Sequence, residues 1–306
     1  MRFEKWQALG NDYLIVEREM LPFELTPARV RRLCEGHLGV CADGVLELSR
    51  PTDPAYVAEL RIFNPDGSEA ELSGNGAREA ILYLRRRGWT EQDSFSISTA
   101  AGAISPTITG PDTCRVDMGR ARLCSEDFPG GPSDGAGELD AGGRVWGFRH
   151  VSIGNPQCAI VVDDEAALAA LDLSVLGPPI EGHPSFPNRT NVSWYTELES
   201  RPTRIRARIF ERGVGETLSS GTGAAGAAVA HLLRSGALEQ GATDARVTVV
   251  LDGGELDVEV GSDLRVHLSG WALPVFEGRL SEEFLRGLAE LPEGTQDVTT
   301  DSEGAG

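Results

Sequence analysis

The chain has 306 residues, of which 40% are hydrophobic and 25% are charged, and its formal net charge is -19 at pH 7. This composition is typical of a soluble globular protein and excludes a collagen-like or wholly disordered chain. The acidic balance argues against nucleic acid and anionic membranes as partners, because both are bound through basic patches.

The first residues, MRFEKWQALGND, lack the apolar run of a signal peptide, and no apolar stretch long enough for a membrane span occurs. We therefore expect a cytoplasmic protein without a membrane partner. The five cysteines and five histidines are scattered without metal-binding spacing. No metal site and no cofactor are expected.

Short β patterns alternate with few helices along the chain. The β patterns of the first half include RIFNPDG, SFSIST, GAISPTIT and CRVDMG. Those of the second half are RVWGFRHVSIG, QCAIVVDD, TNVSWYTEL, RIRARIFERG, ARVTVVLDGGELDVEVG and DLRVHLSGWALPVFEG. Helices are predicted at 27–36, 75–87 and 222–236. The Gly-, Pro- and Asp-rich segment 125–146 is predicted to be a loop or linker.

The two halves of the chain repeat one another at a distance of 147 residues. This shift places Arg61-Ile62-Phe63 on Arg208-Ile209-Phe210 and Glu69 on Glu216. It also places the turn Ser73-Gly74-x-Gly76-Ala77 on Ser220-Gly221-x-Gly223-Ala224. Agreement in this order indicates two copies of one structural unit.

The repeat and the β patterns together predict an α+β fold of two pseudo-symmetric domains. Each domain is expected to be a mainly antiparallel sheet wrapped around the helix that follows its Ser-Gly turn. We expect the first domain at 1–119, with a last strand at about 266–277 returning to it, and the second at 120–265. Residues 278–306 are expected to form an acidic, partly disordered tail that begins with one short helix.

Each Ser-Gly-x-Gly turn opens a predicted helix. The first turn of a helix presents free N–H groups and the positive end of the helix dipole, which together favour a carboxylate or phosphate. The glycines at these turns allow a ligand to approach the backbone closely. A serine at this position is also a common N-cap, so a purely structural role remains an alternative.

These motifs resemble those of the diaminopimelate epimerase family. The resemblance spans about residues 1–277 and rests on ALGNDYLIV, HLGVCADGVLEL, RIFNPDGSEAELSGNGAR, VSIGNPQCAIVVDD, NRTNVSW and ERGVGETLSSGTGA, in this order. It implies two pseudo-symmetric halves with an active site between them, and it suggests a homodimer. It further implies inversion at an α-carbon without a cofactor, in which one group removes the α-proton while its counterpart returns a proton to the opposite face.

The sequence departs from the family at both reacting positions. The resemblance places the two catalytic groups at Ser73 and Ser220, where the family has cysteines. A thiol has a pKa of about 8.5, whereas an alcohol is comparable to water at about 15.7. Serine would therefore need a neighbouring base, and altered or weak activity is expected.

Four acidic residues lie close in sequence to the two turns, and these are the candidate bases: Glu69, Glu216, Asp66 and Glu79. Two further departures lie nearby, because a family glutamine is replaced by Gly44 and a family histidine by Gln157. The reacting end of the site is thus expected to differ from that of the family.

The positions that hold the substrate in the family keep the expected residue types here. The resemblance assigns substrate binding to Asn11, Asn64, Gly74, Asn75, Asn155, Asn191, Glu211, Arg212, Gly221 and Thr222. Arg212 suits bidentate binding of a carboxylate, and Glu211 is expected to accept from an ammonium group. The backbone N–H groups of the two helix starts are expected to bind the second carboxylate. The expected partner is a small amino-acid substrate.

Three other functions remain open from the sequence. One is a related isomerase or dehydratase that acts on a different acid, with a carboxylate as general acid and base. Another is an amino-acid-binding protein without catalysis. The segment GTGAAG at 221–226 also matches a dinucleotide-binding pattern, but no hydrophobic strand immediately precedes it.

Overall fold

The computed structural model describes residues 1–201, 203–238 and 244–292. The first half contains β1 (Arg2–Ala8), β2 (Asn11–Glu17), α1 (Pro27–Cys34), β3 (Val45–Ser49), β4 (Ala58–Phe63), β5 (Glu69–Ala70), α2 (Gly74–Arg86), β6 (Ile97–Thr99), β7 (Gly102–Ile104), β8 (Thr107–Gly110) and β9 (Thr113–Arg120). The second half begins with β10 (Ala136–Ala141), β11 (Arg144–Ser152), β12 (Pro156–Val161), α3 (Glu165–Ala169), α4 (Leu173–Glu181), β13 (Asn191–Ser200), β14 (Thr203–Glu211), β15 (Gly215–Thr217) and α5 (Gly221–Arg234). It ends with β16 (Asp244–Leu251), β17 (Gly254–Gly261), β18 (Arg265–Trp271), β19 (Leu273–Arg279) and α6 (Glu282–Ala289).

The strand order is repeated in the two halves. The first sheet has the order β19-β1-β2-β3-β4-β6-β7, with β5 paired to β4. The second has the order β10-β11-β12-β13-β14-β16-β17-β18-β9-β8, with β15 paired to β14. The pairs β2/β3 and β4/β6 are parallel, and so are their counterparts β12/β13 and β14/β16. The predicted duplication is therefore confirmed in strand pairing, in mixed sheets where antiparallel pairs prevail.

The predicted helices at 27–36, 75–87 and 222–236 are confirmed as α1, α2 and α5. Helix α2 packs Ala77, Ile81 and Leu84 into the first hydrophobic core. Helix α5 contributes mainly alanines to the second core, including the fully buried Ala224 and Ala228. Small side chains let the surrounding strands lie close to the helix axis, which keeps the core densely packed. Each helix is thus the centre of its half.

Strands β9 and β18 join the two halves. They are antiparallel neighbours in the second sheet, yet Cys114 and Val116 of β9 pack in the core around α2. Val266 and Leu268 of β18 pack in the core around α5. The chain returns to the first half only with β19, which pairs with β1. The returning strand therefore begins after Trp271 and not at 266 as expected, because the inward side chains of β18 belong to the second core.

The segment 125–146 was expected to be a loop, and part of this expectation is wrong. It contains β10 and the beginning of β11, which form an antiparallel hairpin. Gly142 and Gly143 form the hairpin turn with φ of 62° and 73°, a conformation that glycine adopts readily. Leu139 is buried by this pairing. A Gly-Gly turn between short alternating patterns was the signal that predicts this hairpin.

The short helix expected after the last strand is α6, whose Leu288 is buried against the first half. The expected disorder falls on residues 293–306, which lie outside the described residues. Among the helices that the structure describes, none is both long and apolar enough to cross a membrane.

Candidate active site

The N-termini of the two central helices lie against each other. A Cβ atom built on Gly74 would be 3.6 Å from the Cα of Gly221, so the space between the two glycines is no wider than one methyl group would fill. Ser73 and Ser220 are the N-caps of α2 and α5, and both have extended backbone conformations. Their Oγ atoms accept hydrogen bonds from the N–H groups of Gly76 at 3.1 Å and Gly223 at 3.3 Å. The structure therefore brings the two serine turns together, and each serine also has the N-cap role that the sequence left open.

Ser220 contacts a partly buried carboxylate. Its hydroxyl donates to Oε2 of Glu211 at 3.0 Å, and Thr217 donates to Oε1 at 2.8 Å. Burial raises the pKa of Glu211, and the two hydroxyl donors lower it to a lesser extent. Glu211 ends β14 and Ser220 follows the short β15 that pairs with it. The strand turn thus places a base beside the serine hydroxyl.

Ser73 contacts a phenol instead of a carboxylate. The hydroxyl of Tyr13 donates to Ser73 Oγ at 3.2 Å. Burial raises the pKa of Tyr13, the Ser73 bond lowers it, and the charges of Asp43 and Glu211 raise it further. Tyr13 is consequently neutral at ordinary pH. Glu211 belongs to the other half of the chain, so its charge acts on Tyr13 across the boundary between the halves.

Gly44 makes room for the Tyr13 ring. A Cβ at position 44 would lie 2.5 Å from Cε1 of Tyr13 and 2.3 Å from the carbonyl oxygen of Phe63. Contacts this short do not occur between real atoms, so a larger residue would displace the ring or the strand. Gly44, which departs from the family pattern, therefore lies directly against the ring of the phenol that contacts Ser73.

The asparagines of the second half connect the loops around α5. Asn155 donates to the Thr222 hydroxyl at 3.3 Å and accepts from Gln157 at 2.7 Å. Asn191 accepts from the backbone N–H of Arg212 at 2.8 Å and donates to the Pro156 carbonyl at 3.0 Å. These bonds hold the ends of β12, β13 and β14 in one arrangement.

A second polar network crosses between the halves. Asn75 donates to Asn11 Oδ1 at 3.3 Å and to Ser219 Oγ at 3.0 Å. Its own carbonyl accepts from the guanidinium of Arg78 at 2.6 Å, and Arg78 also donates to the Gly74 carbonyl at 3.0 Å. Arg78 is completely buried. The start of α2 is thus tied to the Ser-Gly turn of the other half.

Two of the predicted binding residues form hydrogen bonds with nearby parts of the chain. Asn64 donates to Ser68 Oγ at 2.9 Å within its own turn. Arg212 is exposed, and its guanidinium donates to the Asn188 carbonyl at 2.7 Å. Their roles in substrate binding stay predictions.

The sequence-near candidate bases are not the groups that contact the serines. Glu69 pairs bidentately with Arg61 at 3.0 and 2.9 Å, and Glu216 pairs with Arg208 at 2.8 Å. These equivalent ion pairs explain why the repeat retains both residues. Asp66 accepts from Ser68 in a tight turn. Pairing of β5 with β4 and of β15 with β14 directs these two glutamates to arginines on the neighbouring strand. Closeness in sequence to the serines did not reveal this pairing.

Glu79 is the remaining candidate base, and it is fully buried in α2. Burial raises its pKa well above the ordinary value, and the nearby charge of Arg78 opposes this effect. Within the described residues, neither carboxylate oxygen of Glu79 makes a well-formed hydrogen bond. The backbone N–H of Tyr13 is nevertheless near enough to lower the pKa of Glu79. Burial therefore favours the protonated form of Glu79, which lies next to Tyr13.

Sequence reasoning missed Tyr13, Thr217, Ser219 and Arg78, and it gave Glu211 a different role. Tyr13 lies two residues after Asn11 on β2, and residues two apart on a strand face the same side. That spacing was the available signal. Within the described ranges, no group of three or more metal-ligating side chains lies together.

Comparison with known proteins shows which solved structures share this fold. In the fold, the chain is similar to a phenazine biosynthesis protein of the PhzF family from Bacillus anthracis, with a TM-score of 0.66 at 18% identity over 92% of this chain and 99% of that one. It is also similar to a probable proline racemase from Agrobacterium radiobacter, with a TM-score of 0.63 at 14% identity over 92% and 93% of the two chains. These likenesses confirm the expected fold class.

In sequence, the chain is 42% identical over 287 residues to a diaminopimelate epimerase from Pelotomaculum thermopropionicum, which covers 91% of this chain and 98% of that protein. A protein of the same description from Thermosynechococcus vestitus is 40% identical over 92% of this chain and 99% of its own length. The family model for diaminopimelate epimerase matches residues 3–124 and 149–269. The resemblance read from the motifs is confirmed, and with it the isomerase class: the chain belongs to the diaminopimelate epimerase family.

Proposed function

We propose that this protein inverts the α-carbon of an amino acid without a cofactor, and that diaminopimelate is its substrate. Ser73 and Ser220 are the two reacting groups in this proposal. The observation that carries it is the contact between two serine-capped helix N-termini, each serine having its own proton-handling partner, Tyr13 or Glu211.

The two helix starts suit the carboxylate next to the reacting carbon. The first N–H groups of a helix have no partner within the helix, and the dipole favours negative charge there. Those of Gly74, Asn75, Gly221 and Thr222 belong to helix ends that face one another. Negative charge that develops on the α-carboxylate during proton removal would be stabilised by such donors, because they are already oriented.

Glu211 answers the difficulty that an alcohol is a poor base. A carboxylate in hydrogen-bond contact can take the serine proton as the serine takes the α-proton, so a free alkoxide never forms. Its raised pKa brings it closer to the pH at which general bases work best. A carboxylate has about four lone-pair sites, so Glu211 also retains capacity for the substrate ammonium.

The far end of the substrate is assigned to the loops of the second half and to Asn64. Arg212 is positioned by the bond of its backbone to Asn191, and its exposed guanidinium suits a second carboxylate. In this assignment, the polar side of the site near the helix starts is lined by three asparagines: Asn11, Asn155 and Asn191.

The test is incubation of the protein with stereochemically pure LL- and meso-diaminopimelate in deuterated water. Inversion with deuterium at the α-carbon supports the proposal, and Ser73→Ala and Ser220→Ala should each reduce it at least about 100-fold. Ser281→Ala is a matched control, because Ser281 is the N-cap of α6. Calorimetric binding without any exchange would instead indicate an amino-acid-binding protein, and exchange with another acid would indicate a related isomerase or dehydratase.

We further propose that the protein is a cytoplasmic homodimer. Strand β19 ends the first sheet, and it carries the exposed side chains of Leu273, Val275 and Phe276. An apolar edge strand of this kind favours pairing with another chain. The free cysteines are typical of a reducing compartment. Sedimentation of the parent protein and of Val275→Lys tests the dimer.

A further inference from the structure

The hydrogen bonds around the two serines differ in the direction of their protons. Ser73 Oγ accepts from the Gly76 N–H and from the Tyr13 hydroxyl. A hydroxyl oxygen has two lone pairs and one proton. Because both lone pairs of Ser73 are used, the group that Ser73 has left to offer a ligand is its proton.

Ser220 has the opposite arrangement. Its oxygen accepts one bond, from the Gly223 N–H, and its proton is donated to Glu211. One lone pair is therefore left for a ligand. The same N-cap geometry thus presents a donor in one half and an acceptor in the other, and the difference comes from the partners Tyr13 and Glu211.

We propose that the two faces of the site have fixed and opposite roles at rest, with Ser220 as the proton acceptor and Ser73 as the proton donor, and that Tyr13 is the positioning residue that makes Ser73 a donor. This inference rests on the proposed function. Its new element is Tyr13, which acts through Ser73 and whose ring lies directly against Gly44.

The proton steps balance as follows. The Cα–H bond breaks and its electron pair stays on the substrate, while the proton moves to Ser220 Oγ and the Ser220 proton moves to Glu211. Ser73 gives its proton to the opposite face of the same carbon and takes the proton of Tyr13. Glu211 is then protonated and Tyr13 ionised, and proton exchange with solvent restores both groups.

The surroundings of Tyr13 support its role. Burial raises the pKa of its hydroxyl most, the bond with Ser73 lowers it, and the charges of Asp43 and Glu211 raise it further. Tyr13 is therefore protonated at the start of each cycle, and the tyrosinate left after proton transfer is a strong base that takes a proton back from solvent.

The test is the variant Tyr13→Phe, which keeps the ring and removes the hydroxyl. Proton removal at the Ser220 face continues in this variant, but return of a proton at the Ser73 face is slowed. The intermediate then receives a proton on the same face from which the α-proton was removed. The measured quantity is the ratio of deuterium-labelled recovered substrate to inverted product, for the isomer whose α-hydrogen faces Ser220. This ratio should rise at least about 10-fold in the variant, while KM should stay within about twofold of the parent.

Tyr83→Phe is the matched control, because Tyr83 is equally buried and its hydroxyl donates to Glu17 at 2.8 Å and not to either serine. A second variant, Tyr13→Phe with Ser73→Cys, should return the ratio to within about twofold of that of Ser73→Cys alone, because a thiol is acidic enough to donate unaided. This rescue separates a relay role from a folding defect.

An unchanged ratio in Tyr13→Phe, or an equal rise in Tyr83→Phe, overturns the inference while the proposed function stands. A parent protein that exchanges no deuterium with any diaminopimelate isomer overturns the proposed function, and this inference with it.

Discussion

Ser220 donates its hydroxyl proton to Glu211 across 3.0 Å, although the two residues were assigned to separate tasks from the sequence. The turn between β14 and β15 produces this contact. A serine cannot act as a base alone at neutral pH, so the function of the second half depends on the ionisation of Glu211. The consequences can be measured.

Glu211→Gln should reduce turnover at least about 100-fold, because the amide retains hydrogen bonding but cannot take a proton. Substrate affinity should change less than turnover. In the parent protein burial raises the pKa of Glu211, so activity should fall as the pH falls through that raised pKa. Rate profiles between pH 4 and 9 test this, and turnover of Glu211→Gln equal to the parent would remove Glu211 from the mechanism. Glu216→Gln is the control, because Glu216 pairs with Arg208.

Glu79 should make the folded state less stable as the pH rises. Its pKa is raised in the folded protein, so its contribution is full below the unfolded value of about 4.3 and is lost as the pH rises toward the folded pKa. Glu79→Gln is neutral at every pH. The unfolding free energy of Glu79→Gln minus that of the parent should therefore increase by up to about 1.4 kcal/mol per pH unit above about pH 5. Denaturant titrations at several pH values measure this difference, and parallel curves would contradict the assignment of a neutral Glu79.

Gly44→Ala should destabilise the protein by about 1–3 kcal/mol, because the new methyl group overlaps the Tyr13 ring and the Phe63 carbonyl. Gly147→Ala is the control, because a Cβ there meets no atom within 4 Å. In a Tyr13→Ala background the cost of Gly44→Ala should be smaller, because the ring is then absent. Equal unfolding free energies for Gly44→Ala and Gly147→Ala would show that the site tolerates the overlap.

The fold was largely predictable because the internal repeat can be recognised in the sequence. The shift that aligns Ser73 with Ser220 also aligns the strands and helices around them, and the structure repeats the same strand pairings. The hairpin of β10 and β11 was missed because glycine and aspartate in an edge strand resemble a loop. The start of the returning strand was misplaced because periodicity does not tell which of two cores a strand faces.

The partners of the serines were less predictable. Glu69 and Glu216 are close to the turns in sequence, but sheet pairing directs them to Arg61 and Arg208. Tyr13 is 60 residues from Ser73 in the chain, and its contact depends on the packing of β2 against the start of α2. Sequence distance cannot reveal a contact of this kind.

Arg212→Lys should weaken substrate binding at least about 10-fold, because lysine loses the planar pair of donors that matches a carboxylate. The guanidinium is exposed and is oriented by the Asn188 carbonyl. Calorimetry with diaminopimelate on the parent and the variant measures the change. Arg201→Lys is a control, because Arg201 is exposed and directly follows β13. Unaltered affinity in Arg212→Lys would place the second carboxylate elsewhere.

Replacing both Ser73 and Ser220 with Cys should increase turnover near neutral pH by roughly one to two orders of magnitude. A pKa of about 8.5 allows a useful thiolate fraction, whereas serine depends wholly on Glu211 and Tyr13. Either single variant should gain less, because inversion needs a donor and an acceptor on opposite faces. The double variant should also acquire a dependence on thiol ionisation near pH 8.5, in addition to the acid limb set by Glu211. Racemisation assays at several pH values on the parent, both single variants and the double variant measure these changes. If the parent is instead fast and loses activity on Ser→Cys substitution, then the hydroxyls with Glu211 and Tyr13 are the better catalysts, because sulfur would weaken the two contacts that control the protons.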